Sequence, residues 1–242
     1  MITNSHEQIV TIFDADKTLL PGYSIIDFAE FLKNHHCFSP STWNKFQHLL
    51  ESYKHKQLDY NAFANEVVRL YAEGVRGQHI KVIQSLSGLF WRDRVQTLYP
   101  FVQPLFAELN TISAKKILIS GSTLESLSGL IQSLRFQEIH TTLISTAGSV
   151  FLGTVKTNTA SEKEKSKTVD DIFARHPKAI TIGFGDSAAD LSFLHRVSHP
   201  IVVGSHDSIL QQKVIKDKWI NIEKPEQTYA FSVTQLLTQG KI

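Results

Sequence analysis

The stretch IVTIFDADKTLL sets two carboxylates, Asp14 and Asp16, two residues apart at the end of an apolar run. Two anions this close repel unless a cation lies between them, and hard oxygen ligands suit magnesium. Such a cation also offsets the charge of an anionic ester, so that a carboxylate can approach phosphorus as a covalent nucleophile. The run before Asp14 reads as a strand, and open α/β sheets bind ligands at the carboxyl edge of their strands. If the extended conformation persists, side chains two apart lie on the same side, which brings Asp16 to the side of Asp14.

Three further stretches carry groups that such a pair needs. In KKILISGSTLES a strand ends at Ser120, followed by Gly121 and an expected helix start. Gly121 lets the backbone turn tightly and bring its N–H toward an anion. The Ser120 hydroxyl can donate to the same oxygen, and a helix N-terminus adds favourable partial charge. Ser122 and Glu125 fit a capping box at that helix start. In SEKEKSKTVDDIF three lysines compete as the cation that neutralises phosphate and nucleophile: Lys163, Lys165 and Lys167. Lys165 lies in line with the apolar stripe of Val169 and Ile172, whereas Lys167 points more toward solvent. In ITIGFGDSAADLSFL a strand ends at Gly183 and Gly185, and Asp186 and Asp190 follow four apart. Asp186 can complete a magnesium site. Asp190 can ligate through water or orient the lysine, and Ser187 to Asp190 also has a capping spacing.

The elements that must position these groups are legible as apolar runs. Gln8 to Phe13, Lys116 to Ser120, Ile139 to Ile144, Ala179 to Phe184 and Pro200 to Val203 read as buried strands. With helical patterns between them, such as Leu124, Leu127, Leu130, Ile131 and Leu134, they predict a parallel sheet covered on both faces. From Ser24 to about Val95 the periodicity is helical almost throughout. Four stripes follow one another: Ile25, Phe28, Ala29 and Leu32; Trp43, Phe46, Leu49, Leu50 and Tyr53; Phe63, Val67, Leu70 and Tyr71; and Ile80, Ile83, Leu86 and Phe90. Breaks fall at Ser39-Pro40, between Gln57 and Tyr60, and at Gly74 and Gly77. The expected organisation is an α/β core, residues 1–22 and 96–242, interrupted by a helical bundle over residues 23–95.

Bulk composition bounds the rest. The 242 residues are 42% hydrophobic and 20% charged, ordinary for a globular chain that needs no metal or disulfide to fold. Lys and Arg total 25 against 23 for Asp and Glu, so there is no electrostatic case for nucleic-acid binding. No run of about 18 apolar residues predicts a membrane span, and the first residues lack a secretory signal. The single Cys37 excludes an intrachain disulfide and suits a reducing, cytoplasmic compartment. Oligomeric state is not readable from the sequence.

Taken in order, these stretches resemble the haloacid dehalogenase superfamily, over Ile9 to Gly204. D-x-D-x-T is Asp14, Asp16 and Thr18; the serine motif is Ser120; the lysine is best matched by Lys165; and G-D-x-x-x-D is Gly185, Asp186 and Asp190. The helical insert looks like the C1 cap of phosphoserine-phosphatase-like members, and Ala147 to Thr154 is similar to the small hairpin those members carry. The resemblance implies a Rossmann-like core and a magnesium-dependent phosphatase acting on a small phosphorylated metabolite. Asp14 would form an aspartyl-phosphate, Asp16 would protonate the leaving oxygen and then activate water, and Thr18 would help fix the loop. Asp14, the Asp16 main-chain carbonyl and Asp186 would hold the metal; Lys165, Ser120 and the Gly121 backbone would stabilise the phosphoryl group.

The same motifs serve a phosphotransferase using that intermediate, and the same fold serves non-catalytic binding or regulatory proteins. Two departures bear on the substrate. Phosphoserine phosphatases usually carry a glutamate soon after the first motif, whereas here LLPGYSIIDF has none before Glu30. Gly22 to Ser24 is closer to the broad group of IB-type hydrolases, whose substrates vary. Arg92 and Arg94, where the insert returns to the core, are positioned in sequence to face an anionic substrate or to form a solvated hinge.

Overall fold

A computed structural model describes residues 8–160 and 162–239. Its centre is a seven-stranded sheet built from β1 (Ile9–Phe13), β2 (Lys115–Thr123), β3 (Glu138–Ala147), β4 (Val150–Thr157), β5 (Ile180–Gly185), β6 (His199–Val203) and β7 (Ile220–Ile222), in the order β4-β3-β2-β1-β5-β6-β7. All neighbours pair parallel except β3 and β4, which form a hairpin. All five expected strands are present. β7 escaped sequence reading because INI is three residues long, too short to show a period.

Alternation along β1 sends its side chains to two apolar layers. Val10 and Ile12 join Ile117, Ile119, Val169, Ile172 and Phe193 on one face. Phe13 enters a larger cluster on the other face, continuous with the helical insert. Phe13 stacks on Phe184 with centroids 4.7 Å apart and meets Phe106 at 4.9 Å. These rings lock β1 to β5 immediately before Asp14 and Asp186. The backbone pairing continues one residue further, with Asp14 N–H donating to Phe184 C=O at 3.0 Å.

Between β1 and β2 stand α1 (Ser24–Asn34), α2 (Pro40–Lys54), α3 (Tyr60–Gly74) and α4 (Ile80–Arg94), followed by α5 (Val102–Thr111). The expected breaks are where the helices end. Ser39 caps α2, with Pro40 at its first position, and Asp59 caps α3 by accepting from Ala62 N–H at 2.9 Å. In all four stripes the central residues Phe28, Phe46, Val67 and Ile83 are buried. The insert docks on α6 (Leu124–Leu134) through Trp91, whose indole N–H donates to Ser126 C=O at 2.8 Å. A Cβ at Gly129 would sit 2.2 Å from Trp91, so glycine is what allows α4 to approach α6. On its other side the insert pairs with the β3–β4 hairpin, as Gly77 N–H donates to Phe151 C=O at 2.8 Å. The remaining helices are α7 (Glu162–Arg175), α8 (Leu191–Leu194), α9 (Ser208–Lys216) and α10 (Val233–Gln239). No described helix is long and apolar enough to cross a membrane.

Candidate active site

The four stretches converge at the carboxyl edge of β1, β2 and β5, where Asp14, Asp16, Ser120 and Asp186 line a 910 Å³ cavity shared with the helical insert. Asp14 stands directly after β1 and is buried. Lys165, in the first turns of α7, is buried too, and its Nζ lies 3.5 Å from Asp14 Oδ1 and 2.6 Å from Asp190 Oδ1. Lys163 and Lys167 are exposed. The helical stripe therefore selects Lys165, because Val169 carries it toward the sheet.

Asp190 resolves into two jobs, one for each oxygen. Oδ1 takes Lys165, while Oδ2 accepts from Asp186 N–H, Ser187 N–H and Ser187 Oγ, each at 3.1 Å. The capping box is thus real and holds the lysine's partner at the same time. With both oxygens engaged, Asp190 orients Lys165 rather than offering a free ligand. Gly185 is part of this device, since a Cβ there would stand 2.6 Å from Asp190 Cβ.

Asp16 is held by its own hydrogen bonds. Its Oδ1 accepts from Ser24 N–H at 2.8 Å and its Oδ2 from Ser122 Oγ at 2.5 Å. Its carboxylate lies outside the acidic cluster, where oxygens of Asp14, Asp186 and Asp190 fall within 4.8 Å of one another. Thr18, fully buried, donates to Asp186 Oδ1 at 3.5 Å. Ser120 is buried at the cavity floor, and its Oγ accepts from Ser122 N–H at 3.2 Å.

The serine stretch departs from expectation. The strand continues three residues beyond Ser120, through Thr123, so α6 is capped one residue later than expected, by Thr123, which accepts from Ser126 N–H. Ser122 and Glu125 form no capping box; Ser122 instead orients Asp16. Gly121 is not a turn into a helix. It lies where β2 slips register against β3, between Ser120 and Thr123. There Ala160 approaches so closely that a Cβ would meet it at 2.9 Å. Ser122 was detectable in principle: two serines two apart on an extended segment share a side. Lys17 and Tyr60, also at the cavity, belong to no pattern that sequence spacing exposes.

Arg92 and Arg94 do not face the cavity. Arg94 is paired with Asp27 of α1 and lies over the Phe90 ring, and Arg92 is exposed. An ion pair between the two ends of the insert consumes the cation.

The electrostatics of the cluster favour a bound cation. Burial, opposed by Lys165 and reinforced by Asp190, Asp186 and Asp16, raises the Asp14 carboxyl well above the ordinary range. Burial and then the charge of Asp190 push Asp186 up to about 8. Asp16 is raised by burial against the pull of its Ser122 and Ser24 hydrogen bonds. Lys165 would be depressed by burial, yet Asp190 and Asp14 outweigh it and hold the ammonium above its ordinary value. Three close carboxylates against one lysine leave net negative charge in a buried place. Asp14 and Asp186, the carboxylates left over once Asp190 holds Lys165, are hard oxygen donors that fit a divalent cation.

A sequence model of haloacid dehalogenase-like hydrolases matches residues 11–195, from within β1 through the turn after α8. The chain belongs to this hydrolase family. No curated protein matches it in sequence. Among solved structures, this hydrolase is similar to a protein of unknown function from Bordetella pertussis Tohama I, at 19% identity and TM-score 0.72, covering 89% of this chain and 98% of the other. A substrate-bound phosphoserine phosphatase matches at 15% identity and TM-score 0.62, covering 96% and 97%. Cytosolic 5′-nucleotidase IIIB bound to cytidine matches at 12% identity and TM-score 0.63, covering 89% and 81%. The shared feature is the fold, a mostly parallel sheet with helices, in agreement with the architecture expected of the hydrolase.

Proposed function

We propose that this hydrolase is a magnesium-dependent phosphomonoesterase that works through an aspartyl-phosphate on Asp14. The observation that carries the reading is the juxtaposition of Asp14 with Lys165 and Asp190, beside Asp186, at the floor of a cavity large enough for a metabolite. Magnesium would be held by Asp14, Asp186 and the Asp16 main-chain carbonyl, and when bound it supplies charge neutralisation for the phosphoryl oxygens. Asp14 Oδ attacks phosphorus as the bond to the leaving oxygen breaks. Asp16, oriented by Ser122 and Ser24, gives that oxygen a proton. It then takes one from the water that cleaves the acyl phosphate, returning Asp14 and releasing inorganic phosphate. Lys165, Ser120 and the Gly121 backbone stabilise the phosphoryl oxygens, and Thr18 steadies Asp186. Residues 23–95 act as a cap on a core of residues 1–22 and 96–242, and the cap supplies the walls that meet the leaving group.

The test is phosphate release from p-nitrophenyl phosphate and a panel of phosphorylated metabolites, with magnesium and after chelation. Turnover that needs magnesium and disappears in Asp14→Asn is the expected result. Absence of turnover across the panel, or full activity in Asp14→Asn, would sink the reading. Product analysis with added alcohols separates hydrolysis from transfer of the phosphoryl group.

A further inference from the structure

The cavity is two-faced. Its core side carries the charges described above together with Lys17 and His206, while its insert side is apolar and aromatic. Among the insert residues that line it there is no Lys, Arg or His, and the single charged side chain, Asp59, is an anion committed to capping α3. Lys17 is engaged as well: its Nζ donates to Tyr23 Oη at 2.6 Å.

The aromatic residues of the roof differ in how they are used. Tyr53 and Phe63 stack on each other with centroids 4.0 Å apart, and Tyr23 meets Phe63 edge-on at 6.0 Å. Tyr60, at the start of α3, is the exception. Among the described residues it packs against no other aromatic ring, and 38% of it is exposed. It lines the same cavity as Asp14 and Asp186. A partly exposed ring that lines a reactive cavity is a platform for a planar group. The 910 Å³ volume lies near the upper end of the roughly 300–1,000 Å³ of small-molecule pockets. That is more room than a phosphate on a three-carbon alcohol needs.

Resting on the phosphomonoesterase reading, we infer that the substrate is a phosphomonoester of a neutral, ring-bearing alcohol of nucleoside size, its ring stacked on Tyr60. A carboxylate on the leaving group would find no cation on the insert side of the cavity, only the exposed anion Asp59, which disfavours phosphoserine and phosphoglycerate. A ring, by contrast, gains stacking and apolar contact without needing a charge partner.

The experiment is a comparison of kcat/KM for adenosine 5′-monophosphate, cytidine 5′-monophosphate, glycerol 2-phosphate and phosphoserine, using the full chain with magnesium. The nucleotides are expected to exceed the other two by about tenfold or more. In Tyr60→Ala the ratio of adenosine 5′-monophosphate to glycerol 2-phosphate falls about tenfold, and in Tyr60→Phe it is kept, because the ring remains. Equal or better turnover of phosphoserine or glycerol 2-phosphate overturns the inference while leaving the phosphatase reading intact, as does an unchanged ratio in Tyr60→Ala. Failure to release phosphate from all four overturns both.

Discussion

The two ends of the sheet treat acidic residues in opposite ways. At the amino edge, Glu138 opens β3 and is surrounded by donors: the cations Arg175 and Lys115, the latter at 2.7 Å, and the His140 ring at 2.8 Å. Hydrogen bonds from Arg175 first, then Lys115 and His140, hold its carboxyl well below the usual range despite partial burial. At the carboxyl edge, Asp14, Asp186 and Asp190 share one lysine, and Asp14 and Asp186 are raised instead. One edge is a satisfied ion network that serves the fold. The other stores unfavourable charge that a cation and a phosphoryl substrate would relieve, at a cost in stability that structural ion pairs do not carry.

That contrast can be broken most sharply at Asp14. Asp14→Asn should lower kcat by on the order of 10³-fold or more. In the metal-free protein it should also raise stability by about 1–2 kcal/mol, since it removes a carboxylate from the crowded edge. Urea denaturation in the presence of a chelator, alongside phosphate release, reads both effects; loss of stability in Asp14→Asn would contradict the picture of stored charge. Next in size is Lys165→Met, which leaves Asp190 buried without its partner and should cost about 3–5 kcal/mol. Magnesium should return part of that loss, visible as a rise in Tm. Gly185→Ala would press a methyl group into Asp190, for about 1–3 kcal/mol, and should reduce kcat more than it changes KM.

The smallest effect is expected at the opposite edge. Glu138→Gln removes charge-assisted hydrogen bonds worth about 1–2 kcal/mol at neutral pH and should leave kcat within about twofold, as on any site remote from the chemistry. The sign of its pH dependence follows from the depressed carboxyl. The stabilisation is present above the unfolded value near 4.3 and is lost as pH falls below it toward the lower folded value. The difference between wild type and Glu138→Gln should therefore shrink below about pH 4. A difference that grows in acid would overturn the assignment of that network.

Much of the site was legible as local pattern. Asp14, Ser120 and Asp186 each end an apolar run, and strand ends in a parallel sheet gather at one edge. Lys165 was separable from its neighbours because helical periodicity tied it to Val169 and Ile172, both buried. Breaks at Ser39-Pro40 and Asp59 carried the helix starts, since capping is a local hydrogen bond. The serine stretch was harder. A capping-box spacing at Ser122 and Glu125 competed with continued extension, and pairing with β3 decided for the strand. The arginines at the end of α4 were likewise ambiguous until Asp27, 67 residues away, was brought against Arg94.

By itself, then, the sequence determined the family, the sheet of five main strands, the four-helix insert and the chemistry-bearing residues at the strand ends. Those are consequences of short-range periodicity and of residue types at fixed spacing. Only tertiary structure decided that Asp16 turns to Ser122 and Ser24, that Asp190 serves Lys165 with one oxygen and its own turn with the other, and that Tyr60 lines the cavity. Each of these depends on groups far apart in the chain meeting at hydrogen-bond or van der Waals distance, and no local spacing encodes such a meeting.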